Sequence, residues 1–161
     1  MAELYDACAD RIHHYLVTYL GSRADADDVL QETFVRLVQS RRRLARVGDL
    51  VSYVFTVARN EAMRLAGRRA RAGRARPMPA DDVLFVEAGG SDREARQRAE
   101  MVAVALARLG PELREVVELK SYAGLTLREI GEVTGLPQGT VATRYRTALD
   151  HLRRWLVRQL P

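Results

Sequence analysis

The segment that most constrains the fold is TLREIGEVTGLPQGTVATRYRTALDHLRRWL, residues 126–156. Thr126 followed by Glu129 is a capping box, in which the two side chains satisfy amides left over at a helix start. Leu127, Ile130 and Val133 then give one apolar face at helical spacing. Gly135 ends that helix, because glycine takes the left-handed conformation a helix exit needs. Pro137 suits the first turn of a second helix, where no amide partner is lost. In that second helix Val141, Tyr145, Ala148 and Leu152 recur at helical spacing and are expected to face inward. Gln138, Thr140, Thr143, Arg144 and Thr147 are left on or near the outer face. These residue types bond phosphates and base edges, and an arginine such as Arg144 can pair bidentately with guanine. The pattern is that of a helix-turn-helix, with its second helix shaped for a DNA major groove. It also fits an ordinary helical hairpin with a solvated polar face.

The rest of the chain has the same helical character. Leu4, Cys8, Ile12, Tyr15, Leu16 and Tyr19 mark a first amphipathic helix. A second is expected over about Ala24 to Ser40, with Val29, Leu30, Phe34, Leu37 and Val38 inward. Asp25, Asp27 and Asp28 lie in its opening turn, where acids suit the positive end of the helix dipole. Residues 41–50 form a basic connector, and a third helix spans about Leu50 to Ala66. Further helices are expected near 93–108 and from Pro111, ahead of the helix-turn-helix. No segment has strand periodicity, so the expected class is all-α.

Charge divides the chain. Residues 1–66 balance nine basic against nine acidic side chains, whereas 67–76 hold five arginines and no acid. Residues 77–100 carry six acids against three arginines, among Pro77, Pro79 and a Gly89-Gly90-Ser91 run. This is the composition of a linker between two helical units. The expected division is residues 1–67, a linker at 68–92, and 93–161. The net charge of +5 favours a polyanionic partner. Val83-Leu84-Phe85-Val86 is apolar for a spacer and suggests docking.

Other chemistries find little support. The single cysteine, Cys8, leaves no disulfide framework or cysteine metal site within one chain. His13 and His14 are adjacent, so they point about 100° apart on a helix and make a poor metal pair. There is no glycine-rich phosphate loop, and no enzyme, metal or cofactor is expected. The start MAELYDACADR lacks the basic-then-apolar layout of a leader, and no apolar run reaches the ~18 residues of a spanning helix. A cytoplasmic protein without membrane insertion is expected.

Two blocks resemble a known family. DADDVLQETFVRL (25–37) followed by YVFTVARNEAMRLAGRRAR (53–71) resembles the promoter-melting domain of bacterial sigma factors. LGPELREVVELKSYAGLTLREIGEVTGLPQGTVATRYRTAL (109–149) resembles their second DNA-binding domain. Their order and the short chain are similar to the extracytoplasmic-function group of the sigma-70 family.

The resemblance implies a set of roles. Asp28, Gln31 and Glu32 would dock on the clamp helices of core RNA polymerase; Asp28 and Glu32 are four apart and share a helix face. Asn60, in the triplet Ala58-Arg59-Asn60, would contact a promoter base flipped from the duplex, with loop 41–50 forming part of the pocket. Flipping costs a few kcal/mol of stacking and pairing. Arg59, Arg64, Arg68, Arg69 and Arg71 would offset that by holding phosphates. The linker would thread through the polymerase, where Asp81, Asp82 and Glu87 either imitate RNA charge or simply keep the linker solvated. The 26 residues 67–92 reach at most ~90 Å, enough for two promoter elements on the order of 50–60 Å apart. An anti-sigma factor, with the possibility of tethering at the membrane, is the partner implied for the idle protein.

The chain also departs from the family pattern. Tyr53 stands where tryptophan is usual, and Arg64 where aspartate is common. Ala142 replaces a usual lysine, and Thr147 and Leu149 replace common arginines. These changes thin the phosphate grip of the second unit. The rival reading is a stand-alone helix-turn-helix regulator, which would bind a two-fold operator without polymerase.

Overall fold

The computed structural model describes residues 2–74 and 93–159. Residues 75–92 lie outside the described residues, and with them most of the linker, its acidic segment and Val83–Val86. The described residues form eight helices and no strand. They are α1 (Ala2–Leu20), α2 (Arg23–Gln39), α3 (Arg41–Leu44), α4 (Leu50–Arg71), α5 (Arg93–Ala107), α6 (Pro111–Ser121), α7 (Leu127–Thr134) and α8 (Gln138–Gln159). None is long and apolar enough to cross a membrane.

Local signals account for the helix ends. Gly21 takes φ +67° where α1 stops, and Ser22 caps α2 by accepting the Asp25 amide at 3.3 Å. Asp49 caps α4, its carboxylate accepting the Ser52 amide at 3.1 Å. This bond holds the Asp49 carboxyl below the usual aspartate range, with Arg128 adding to the effect. The capping box forms as expected: the Thr126 amide donates to Glu129 Oε2 at 2.7 Å, and the Glu129 amide to Thr126 Oγ1 at 3.2 Å. Gly135 closes α7 in the left-handed conformation, φ 73°. Pro137 stands just before α8, where its carbonyl accepts the Thr140 and Val141 amides.

Two helix bounds differ from the sequence expectations. The basic connector contains the one-turn helix α3, pinned by buried Leu44. The third long helix runs on to Arg71, five residues beyond Ala66. Arg68, Arg69 and Arg71 fall in its last turn, where cations meet the negative end of the helix dipole.

Helices α1, α2 and α4 pack together through Ile12, Tyr15, Leu16, Val29, Leu37 and Phe55. In the other unit α8 lies across α5, α6 and α7, with Leu106, Leu109, Val117 and Ala148 in contact. Helix α6 is apolar on two sides. Val117 faces α8, while Val116 and Leu119 join a cluster that also holds Ile12, Tyr15 and Phe55. Ile130 and Val133 of α7 belong to that same cluster, and α7 packs on α4. The sequence suggests two bundles on a tether; in this structure they press together over one continuous apolar core.

Val38 is the clearest reversal of an inward expectation. It is 53% exposed, as is Val35 at 44%, so the outer face of α2 is partly apolar. Cys8 is buried and its thiol is pushed up by that burial, which suppresses the reactive thiolate.

Candidate nucleic-acid interface

Three surfaces carry the residues singled out from sequence. On α2, Asp28, Gln31 and Glu32 are all exposed along one side. Glu32 accepts from Arg36 Nε at 2.9 Å, and Arg36 also reaches Glu61 on α4 at 3.0 Å. Beside this polar edge runs a shallow hollow lined by Leu30, Gln31, Phe34, Val35 and Val38. An acidic edge next to an open apolar strip can bury nonpolar area while steering a basic partner. Sequence reasoning identified the acids and missed the apolar strip, because helical periodicity placed Val38 inside.

On α4 the six expected DNA-contacting residues do not share one face. Asn60, Arg64 and Arg68 are exposed and fall at four-residue spacing, so they form a stripe along the helix. Arg64 donates to Glu61 at 2.7 Å. Arg59 points elsewhere. Its Nε and Nη2 bond the two carboxylate oxygens of Glu115 on α6, at 2.6 and 3.0 Å. Arg69 is also engaged, in an ion pair with Asp25 in the first turn of α2. Three of the six arginine and asparagine groups are therefore bonded within the protein in this conformation, Arg59 and Arg69 to other helices and Arg64 to its own.

On α8, Gln138, Thr140 and Thr143 are exposed at the N-terminal end. The Thr143 hydroxyl donates back to the Gly139 carbonyl at 3.0 Å. Thr147 is half-buried, and Arg144 Nη2 lies 2.9 Å from Glu112 Oε2. Glu112 is largely in solvent, so that pair is loosely held and can exchange for another anion. The turn depends on Gly131, which the sequence reading passed over. A Cβ there would lie 2.8 Å from the Leu136 carbonyl oxygen.

The junction between the units adds charged contacts that sequence reasoning missed. Arg11 Nε donates to the Ala123 carbonyl at 2.8 Å and Nη2 to the Gly124 carbonyl at 3.2 Å. The same guanidinium sits 5.6 Å from the Phe55 ring centroid, within cation–π range. Gly124 takes φ +65°, which turns these carbonyls out for Arg11. Arg128 on α7 reaches Asp49 at 3.3 Å. Beneath the Arg59–Glu115 pair, Tyr15 is fully buried and its phenol is held well above the ordinary value, chiefly by burial. The Glu115 bonds favour the charged form of Arg59 and raise it above its ordinary value.

Comparison with known proteins finds two family models on this chain. Residues 4–72 match the family model described as Sigma-70 region 2, and residues 105–154 match that of Sigma-70, region 4. The chain is 32% identical over 158 residues to the ECF RNA polymerase sigma factor SigL of Mycobacterium tuberculosis, covering 95% of this chain and 86% of that protein. It is 31% identical over 160 residues to the ECF RNA polymerase sigma factor SigE of Mycolicibacterium smegmatis. That alignment covers 97% of this chain but only 61% of SigE. Its fold is similar to that of the sigma factor RpoE solved in complex with the anti-sigma factor NepR from Bartonella quintana. The TM-score is 0.73 at 19% identity, over 96% of this chain and 95% of that one.

Proposed function

The chain belongs to the sigma-70 family of RNA polymerase sigma factors, in the extracytoplasmic-function group, and from that premise we propose that it directs core RNA polymerase to specific promoters. The α2 face of Asp28, Gln31 and Glu32, with its apolar strip, grips the polymerase. The α4 stripe led by Asn60 captures an unpaired base of the melted promoter. The N-terminal end of α8 reads the more upstream element as duplex. Residues 1–71 and 93–161 are the two hands, α4 carrying the first of them four residues past the boundary expected at 67, and the residues between are the tether.

The observation that best supports this reading is the exposure of three separate binding faces on two units in family order. A stand-alone regulator has no need for the first of them. The work is done by binding rather than catalysis. Unstacking one base costs a few kcal/mol, which phosphate contacts and a base pocket offset only when polymerase holds the DNA in place. An anti-sigma partner that covers these faces is part of the same proposal.

Run-off transcription with purified core polymerase tests it. The expected result is a discrete transcript that depends on adding this chain. Tight, two-fold operator binding by the chain alone, with no transcript from any candidate promoter, would overturn it in favour of a stand-alone regulator.

A further inference from the structure

The Arg59–Glu115 pair bridges the units at their most enclosed charged contact, with side chains only 18% and 17% exposed. Arg59 belongs to the α4 helix proposed to meet promoter DNA, and it presents its Nε–Nη2 edge to two carboxylate oxygens at once. A phosphate offers the same pair of anionic oxygens to the same fork. That edge of the guanidinium serves one of them at a time.

The closed arrangement also conflicts with reading DNA. Because α7 packs directly on α4, and α8 starts within four residues of the end of α7, Asn60 and the N-terminal end of α8 lie on the order of 20–30 Å apart. Two promoter elements about one and a half helical turns apart are separated by roughly twice that. Promoter engagement therefore requires the units to part, and parting requires Arg59 to leave Glu115.

We infer that Glu115 is a built-in stand-in for nucleic-acid phosphate, and that its pair with Arg59 latches the two units closed until DNA competes for the arginine. Arg11 on the Ala123 and Gly124 carbonyls and Arg128 on Asp49 brace the same junction. Asp49 lies at the end of the loop expected to line the base pocket, but it is an acid and does not compete for phosphate, so Arg59 is the residue of these braces that couples closure to the ligand. In the closed form apparent DNA affinity is lowered by the fraction of molecules that are open. If about one molecule in ten is open, removing the latch raises affinity up to about tenfold.

The inference uses the promoter-reading role only for its DNA arm, and the test separates the two. Fluorophores are placed on the full-length chain at Arg46→Cys and His151→Cys, both exposed, while buried Cys8 resists labelling. Energy transfer then reports the separation of the units without DNA or polymerase. Glu115→Gln and Glu115→Ala are both expected to lengthen the mean separation with helicity unchanged by circular dichroism. Both are also expected to tighten binding to a mixed-sequence duplex carrying a single-stranded overhang, by roughly three- to tenfold. Arg59→Ala is expected to open the chain equally without that gain. If Glu115→Ala loses helicity, the milder Glu115→Gln decides. An unchanged separation in the folded variant overturns the latch. Opening without any transcript in the run-off assay leaves the latch standing and sinks the sigma reading.

Discussion

A side-chain carbon on Gly131 of α7 would lie 2.8 Å from the carbonyl oxygen of Leu136 in the turn that follows. The neighbour is backbone, so it cannot swing aside as a flexible side chain would. The space is that of a hydrogen atom, and it fixes how sharply the chain turns from α7 into α8.

Gly131→Ala sets two effects against each other. Alanine in a helix gains up to about 1 kcal/mol in propensity over glycine. Overpacking at a rigid contact costs about 1–3 kcal/mol. Because the contact is to backbone, the second is expected to win, with a net loss of about 1–2 kcal/mol in denaturant unfolding. Equal or greater stability in the variant would show that the turn relaxes freely.

Tyr15 gives an alkaline signature. Burial raises its pKa, so the folded chain holds the phenolic proton more tightly than the unfolded chain does. Its contribution is fully present below the ordinary tyrosine value of 10.0 and is lost as pH rises from there towards the folded pKa. Tyr122 is shifted the same way, again chiefly by burial. In an absorbance titration these two are expected to ionise only above the ordinary tyrosine value. Tyrosine ionisation that is complete around the ordinary value would contradict the burial of Tyr15 and Tyr122.

The Tyr15 hydroxyl is buried with no hydrogen-bond partner among the described residues. A polar group buried in that way costs about 1–3 kcal/mol, while the ring itself packs against Phe55 with centroids 6.4 Å apart. Tyr15→Phe keeps the ring and removes the orphan oxygen. The midpoint of thermal unfolding is expected to stay level or rise. A clear fall would mean that the hydroxyl is satisfied in solution, for instance by a trapped water.

Much of the fold was legible because its signals are local. The Thr126–Glu129 box, Gly135 and the apolar spacing of Ile130, Val133 and Val141 each act within a few residues, and each forms as expected. The candidate sites were legible less evenly. Exposure of Asp28, Gln31, Asn60 and Thr140 follows from the helical period, but the ionic partners of Arg59, Arg69 and Arg144 do not. Arg59 meets a carboxylate 56 residues away, and Arg11 a carbonyl 112 residues away. No periodicity within one helix encodes such pairings. The double-faced α6 also misleads, since Leu113, Val116, Val117 and Leu119 satisfy one bundle on paper and two in space. Val38 fails for the opposite reason: an apolar residue at core spacing was assigned to the core, where the structure leaves it facing out.

That outward face separates fold from function on a single helix. Val38→Ser would cost roughly 1–3 kcal/mol if the side chain were in the core, from lost burial and a buried hydroxyl. At 53% exposure the expected loss of stability is only about 0.5 kcal/mol or less. Binding to core polymerase should behave differently. The valine lies in the same hollow as Gln31, so a polar replacement removes apolar area from the proposed contact. Affinity is expected to fall by roughly three- to tenfold, about 0.7–1.4 kcal/mol. Alanine at Gln31 and Glu32 should weaken the same binding, with the Glu32 part fading at high salt because that residue is solvent-exposed. Titrating labelled core enzyme with each folded variant measures both effects. Polymerase affinity that is unmoved by all three substitutions would remove the α2 face as the docking surface, whatever the transcription assay reports.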